Sequence, residues 1–487
     1  MSSILRMSIA GTDYIKPRLP VGCGFDVVLG EFVEGIHGES ILVGGMPVLG
    51  GISGPGNVGK STTAIFTIAS ALDKLLEGIK WGNPELYKQL PEMVNHYDPE
   101  NNVSRSRLIS LTKNFKNLKD EDMVNRLWVT SDGTVLNGSE WFKATHAFTE
   151  MKADPKNRKK LELPMPWLNN AKTGCATIPF PTFLLLDSMS DFRTEASKET
   201  MEDLLAGKGG DTLYLRLANY KYTMMSWFQD MAPASGTFMT FTAHIGDIKN
   251  MQSGPGPKVD KRPLKNYKAD KEAKHIPRNW NTALLSIHDA QSDRNLFDKD
   301  GTEYPDPDTA VEVGNAIDQD LKEVTFKQLR GKTGMSGMSL TIVISQREGV
   351  LEGLTNFHRI KTNDRFGITG NNTHYVLDLC PDVKISRTTV RKKLKDIPKL
   401  ARAAEITSDL LLMQMSMRCA LPPEYLMITP QKLYDDIKAL GYDWDMILEK
   451  TRGWHTVYND APNHELKFLS TLDLLKMRVG KYKPFWL

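Results

Sequence analysis

"GGISGPGNVGKSTTA", residues 50–64, decides how the rest of this chain is read. A small, apolar lead-in runs into a glycine-rich turn and then into residues with helical spacing. The stretch therefore predicts strand, loop and helix in that order. From Gly54 to Ser61 every specified position of G-x-x-x-x-G-K-[ST] is filled. In such a loop the backbone N–H groups and the N-terminus of the following helix point at phosphate oxygens. Gly54, Pro55, Gly56, Asn57, Val58, Gly59, Lys60, Ser61 and Thr62 are the candidate phosphate-binding residues. Lys60 is expected to reach the β- and γ-phosphates, and the Ser61 hydroxyl to ligate Mg²⁺. A chance glycine-rich turn is the plain alternative; a complete motif between strand and helix speaks against it.

Working outward, residues from Gly59 to about Leu75 have the apolar spacing of a helix. "EMVNHYD" (92–98) ends a second strand, a helix is expected near Ser104–Phe115, and "RLWVT" (126–130) is a third strand. "NGSEWFKATHAFTEM" (137–151) reads as helix, and the Lys/Pro/Asn-rich stretch from Lys152 to Thr177 as an irregular excursion. "PTFLLLDS" (181–188) is the continuous apolar run that a strand buried on both faces needs. The alternation continues through "GTFMTFTAH" (236–244), and this rhythm predicts an α/β fold with a mostly parallel twisted sheet. Residues 246–277 carry Gly, Pro and Lys without apolar period and predict a long basic loop. "NTALLSIHDA" (281–290) resumes strand character, 291–320 is an acidic, turn-rich insertion, and 323–346 predicts two strands around a Gly-rich hairpin. The expected organisation is a leader over 1–45, an ATPase core over 46–383 and a mainly helical C-terminal domain over 384–487.

With 487 residues and 40% apolar content the chain can bury a full core. Its net charge of +3 excludes a globally basic nucleic-acid coat but leaves room for local basic patches. The widely spaced Cys23, Cys175, Cys380 and Cys419 form no C-x-x-C pair, and buried thiols in a reducing cytoplasm are the simplest reading. No apolar run approaches the roughly 20 residues that span a bilayer, and no signal-peptide core is evident, so a soluble cytoplasmic protein is expected.

Several residues add chemistry to the loop. Asp187, ending "FLLLD", sits where an acid can hold the Mg²⁺ shell, although turns also often begin with aspartate. Hydrolysis needs a base or a water-orienting group beside the γ-phosphate. "HYDPEN" offers Glu100, with Asp98 as its rival, just past a strand whose carboxyl end should border the ligand crevice. His244 ends the "MTFTAH" strand and is either a polar sensor or a satisfied structural histidine. In the loop, Lys249, Lys258, Lys261, Arg262, Lys265, Lys268 and Lys271 could grip DNA phosphates, against the alternative of a solvated charge run. "KISRTTVRKKLK" (384–395) is a second basic cluster, equally readable as an exposed helix face.

Together these residues resemble the RecA recombinase core, and most closely the RecA/UvsX-like proteins of large bacteriophages. "GGMPVLGGISGPGNVGKSTT" is similar to the family's lead-in and P-loop, "YDPEN" to its D-x-E element, and "FLLLDSMSDF" to its hhhDSh stretch. The resemblance implies a RecA-like P-loop NTPase core with helices on both faces of the sheet. It also implies ATP and Mg²⁺ as cofactors and Glu100 as the catalytic glutamate. The basic loop then matches the family's second DNA-binding loop and residues 193–211 its first. "LRGKTGMSG" resembles a hairpin whose cations, here Arg330 and Lys332, reach the neighbouring subunit's nucleotide. The similarity covers residues 20–350. It departs at His244, where the family commonly has Gln. It departs again at its Phe-x-x-Ala contact, matched only by Phe66-Thr-Ile-Ala69 in the helix after the loop, where core is expected.

The expected function is a DNA-dependent ATPase that binds single-stranded DNA and pairs it with homologous duplex, acting as a head-to-tail filament or ring. A phage-encoded protein of this kind works in the cytoplasm of its bacterial host. A ring-forming replicative helicase and a non-enzymatic, nucleotide-gated assembly scaffold are the alternatives.

Overall fold

The structure is a computed structural model. It describes residues 17–133, 136–158, 160, 162–169, 173–195, 198–199, 202, 226–247, 271–273, 283–286, 293–298, 301–306, 320–331, 337–371 and 373–487. A central sheet organises the chain. Its strands, numbered along the sequence, are β1 (Leu49–Gly54), β2 (Val94–Asp98), β3 (Trp128–Asp132), β4 (Thr182–Leu186), β5 (Thr237–Asp247), β6 (Ala283–Ser286), β7 (Leu321–Gly331), β8 (Ser339–Ser345) and β9 (Gly349–Val350). They lie in the order β9-β8-β7-β6-β1-β5-β4-β2-β3. From β1 across to β3 every pair is parallel, and β6 adds a short parallel partner on the other side of β1. The far edge, from β6 through β9, is antiparallel. This is an open α/β sheet flanked by helices.

The parallel strands read as unbroken apolar runs because neither face meets water. Phe183, Leu184, Leu185 and Leu186 of β4, and Phe238, Met239 and Phe241 of β5, are all buried. The helix after the glycine turn, α1 (Lys60–Gly82), is buried on most of its circumference, including Ile65, Phe66, Ile68, Ala69, Leu72, Leu75 and Leu76. A helix apolar nearly all round belongs inside a large core rather than at its edge. Phe66 and Ala69 therefore occupy the core positions expected of them.

Two further helices hold the site's surroundings. The first, α2 (Arg105–Thr112), follows β2 and starts on Ser104, whose hydroxyl accepts from the Arg107 N–H. The second, α3 (Gly138–Ala153), opens with a capping box between Asn137 and Glu140. The antiparallel edge is backed by α4 (Glu352–Thr362), on which α5 (Pro398–Ser416) packs. Arg359 of α4 ties three segments together: it donates to Ser408 Oγ at 2.6 Å, to Cys23 O at 2.9 Å and to Thr341 O at 3.0 Å. Thr456 caps the Lys74 carbonyl of α1 at 2.7 Å, and Asp473 accepts from the Ser40 N–H at 2.7 Å. The buried apolar side chains consequently form one cluster running from Leu19 to Met477.

The stretch from Lys152 to Thr177 differs from expectation. It holds a short helix (Pro155–Arg158) and most of an antiparallel hairpin of Glu162–Leu168 with Cys175–Pro179. Leu163, Met165 and Trp167 alternate inward, but Pro164 and Pro166 between them mask the strand pattern. Residues 246–277 are not loop throughout either. Lys271–Ala273 pairs antiparallel with Ile245–Asp247, so the basic segment returns beside the strand it left. The cysteines also divide. Cys23 and Cys380 are buried, whereas Cys175, on an outward strand position, and Cys419, beyond the end of α5, are exposed. Among the described residues no helix is long and apolar enough to cross a membrane.

Candidate nucleotide site at the carboxyl edge of the sheet

Parallel pairing fixes where the polar residues gather. Gly54 of β1 stands opposite His244 of β5, and Tyr97 of β2 opposite Leu186 of β4. The strands run the same way, so the glycine loop, Glu100, Asp187 and His244 emerge at one edge, beyond the carboxyl ends where open α/β sheets bind ligands. They line a cleft of about 740 Å³ whose walls also include Val103, Arg107, Leu111, Lys322, Val324 and Ile344.

The glycine loop is shaped by backbone need. Asn57 and Gly59 both have left-handed φ, 59° and 81°. A Cβ on Gly59 would also lie 2.8 Å from Ile344 Cδ1, so this position favours glycine on two counts. Lys60 is buried, and its ammonium donates to the Pro55 carbonyl at 2.5 Å. Burial lowers its proton affinity, while Asp187 and Glu100 draw it back up.

Asp187 is only 6% exposed. Its Oδ1 accepts the Thr242 hydroxyl from the neighbouring strand, and its Oδ2 has no hydrogen-bond partner. A buried carboxylate oxygen left unpaired is costly, and a cation is the partner that removes the cost. With the Ser61 hydroxyl on the same cleft, the donor set is all oxygen and fits a hard divalent ion such as Mg²⁺.

Asp98 and Glu100 have different surroundings. Asp98 is buried, and its Oδ2 accepts the N–H groups of Asn102 at 2.8 Å and Val103 at 2.9 Å. It thereby staples the turn that carries Glu100. Glu100 itself faces the cleft. Ser188 donates to its Oε1, Asn102 to its Oε2 at 2.5 Å, and His244 Nε2 lies 3.6 Å from Oε1. Burial pushes the Glu100 carboxyl up from its ordinary range; the Ser188 bond opposes this, and Asp191 and Asp187 add to it.

Arg107 is a cleft residue that the sequence did not single out. It donates to the Gln346 carbonyl at 2.5 Å, and Val103, Leu111 and Ile344 add apolar wall to the same cleft. Ser188, Asn102 and Asp191 were also not anticipated. Only the short polar run "DSMSD" hinted at two of them.

Other expected residues are placed less fully. Arg330 lies near the end of β7 with its backbone opposite Leu284, and Lys271 lies opposite Asp247. Lys249, Lys258, Lys261, Arg262, Lys265, Lys268 and Lys332 lie outside the described residues, as does most of 193–211.

Fold and cleft together define an α/β protein with a polar ligand crevice at the carboxyl edge of a parallel sheet. Set against known proteins, the chain matches no family model and no curated protein.

Proposed function

We propose that this chain is an ATP-dependent DNA recombinase with a RecA-like P-loop NTPase core. The carrying observation is the convergence of four segments, far apart in sequence, on one cleft. They bring the glycine loop with Lys60 and Ser61, the half-buried Glu100, the unpaired oxygen of Asp187, and His244. In this reading the loop amides and Lys60 hold the phosphates of ATP, Lys60 exchanging the Pro55 carbonyl for a phosphate oxygen. Ser61 and Asp187 hold Mg²⁺, which when bound supplies positive charge to the β- and γ-phosphate oxygens. Glu100 orients the attacking water and takes its proton. His244, beside Glu100 and on the strand that leads into the basic loop, senses the γ-phosphate and passes that state to the loop. The polynucleotide partner rests on the lysines of 249–271 and on the sequence resemblance to recombinases. Arg330 and Lys332 act across a head-to-tail interface on the next subunit's nucleotide.

The test is ATP turnover of the full chain with and without single-stranded DNA, beside Lys60→Ala, followed by strand exchange between homologous molecules. DNA-stimulated hydrolysis lost in Lys60→Ala, together with exchange, is expected. Processive unwinding of a forked duplex without exchange would move the assignment to a helicase.

A further inference from the structure

Glu100 has two sides. It and Asn102 line the nucleotide cleft and also a second, outer cleft of about 640 Å³. Asp191 lines the outer cleft and not the nucleotide cleft. It is one of the groups that push the Glu100 carboxyl up. One carboxylate oxygen from each, and one ring nitrogen of His244, lie within 4.8 Å of one another. Two carboxyl groups this close resist ionising together, which favours one proton held between them. Glu100 is thus the partition between two water-accessible spaces, with a proton-sharing partner on the far one.

We propose that Asp191 is the proton-exit partner of Glu100, carrying protons from the nucleotide cleft into the outer cleft during hydrolysis. This rests on the reading of Glu100 as the base. The shared proton first leaves through Asp191 to water in the outer cleft, and Glu100 becomes a carboxylate. The attacking water then forms its O–P bond to the γ-phosphorus, the bond from that phosphorus to the bridging oxygen of ADP breaks, and the water's proton passes to Glu100. The pair again holds one proton, and each turnover delivers one to the outer cleft. Ser188 and Asn102 keep the Glu100 carboxyl fixed between the two spaces while this happens.

Other charges face the pair. Lys60 comes from the phosphate loop, Asp187 from the end of β4 and His244 from β5. Asp132, Arg193 and Lys198 line the outer cleft. Asp191 lies within 4.8 Å of Glu100 and lines the outer cleft only, which is why its removal has a distinct signature.

The experiment compares Asp191→Asn, Asp191→Glu and Glu100→Gln in the full chain, reading Mg·ATP turnover from pH 5 to 9 and nucleotide affinity separately. Asp191→Asn is expected to lower kcat about 10-fold or more, within the range of a lost proton-transfer partner, with nucleotide affinity kept within about twofold. Its acid limb should move to lower pH, because Glu100 loses the neighbouring carboxyl that raises its proton affinity. Asp191→Glu should recover part of kcat and return the limb. Unchanged kcat and an unchanged limb in Asp191→Asn, beside a dead Glu100→Gln, would overturn the exit role and leave the base standing. Loss of nucleotide affinity in both Asp191 variants would make the residue structural and overturn it too. Full turnover in Glu100→Gln would remove the base reading underneath.

Discussion

Replacing Asp187 by Asn should make the nucleotide-free protein more stable and the Mg·ATP-bound protein less so. An unpaired buried acceptor costs about 1–3 kcal/mol, and more when charged. Asp187 Oδ2 is such an acceptor, while Oδ1 already receives the Thr242 hydroxyl. Asn keeps a carbonyl for Thr242 and removes the charge. It also removes an attraction for the Lys60 ammonium, which holds the Pro55 carbonyl as well. Both groups are buried, so that attraction is not screened as a surface pair is, but Lys60 keeps the Pro55 carbonyl and Glu100, so the first effect wins by a small margin. The Asn NH2 in place of Oδ2 is itself unpartnered but uncharged, so the expected net gain without nucleotide is about 1 kcal/mol. Saturation to 100 times Kd stabilises a binding-competent protein by about 2.7 kcal/mol, and the variant, lacking an anionic oxygen for the cation, should forfeit most of this. The order of stability inverts on adding Mg·ATP. Urea midpoints of wild type and variant, each alone, with ATP and EDTA, and with Mg·ATP, read this directly. A variant more than about 1 kcal/mol less stable than wild type without nucleotide, yet stabilised equally by Mg·ATP, would refute the reasoning. It would show the carboxylate to be an anchor for Thr242.

Three further outcomes follow from particular residues. Arg107→Ala should weaken nucleotide binding about 10-fold with little change in kcat, because the guanidinium lines the cleft but bonds the Gln346 carbonyl rather than Glu100 or Asp187; equilibrium titration with a fluorescent ATP analogue and a kcat measurement separate the two. Neutralising Lys258, Lys261, Arg262, Lys265 and Lys268 together should abolish DNA stimulation of turnover, with a loss of about 0.7 in the salt slope of single-strand binding for each cation that touched a phosphate. An unaltered slope would place the DNA elsewhere. The Lys152 amine, buried with acceptors at Phe180 O and Thr182 Oγ1, is held down to about 7 by burial. Its folded value lies below its unfolded one, so the unfolded chain binds the extra proton between pH 7 and 10. Wild type should therefore gain stability over Lys152→Met as pH rises through that window, by about 1 kcal/mol per pH unit, readable as diverging urea midpoints.

How much of this was legible in sequence depended on whether the signal was local. The glycine loop was, since Gly54 to Ser61 carries its own turn chemistry. β4 was too, because four consecutive apolar residues before Asp187 have no other use in an α/β rhythm. The 162–179 hairpin was hidden because Pro164 and Pro166 alternate with its inward residues, and proline argues against a strand. The arrangement around Glu100 was only half legible. Asp98 and Glu100 are two residues apart in one polar turn, and nothing in that spacing says which carboxylate points into the cleft. Two long-range facts separate them. The Asp98 oxygen is consumed by the Asn102 and Val103 amides, which needs the folded turn. The Glu100 oxygen meets Ser188, 88 residues later in the chain, which needs β2 and β4 to be neighbours in parallel register. Asp191 enters the same way, riding on the turn that follows β4. A sheet that interleaves its strands in the order β1-β5-β4-β2 therefore makes the site out of residues no sequence window contains together. The chemistry of each residue is written locally, but its partner is chosen by strand order. That is why a substitution shifting the register of β4 against β2 should disable Glu100 as surely as removing it.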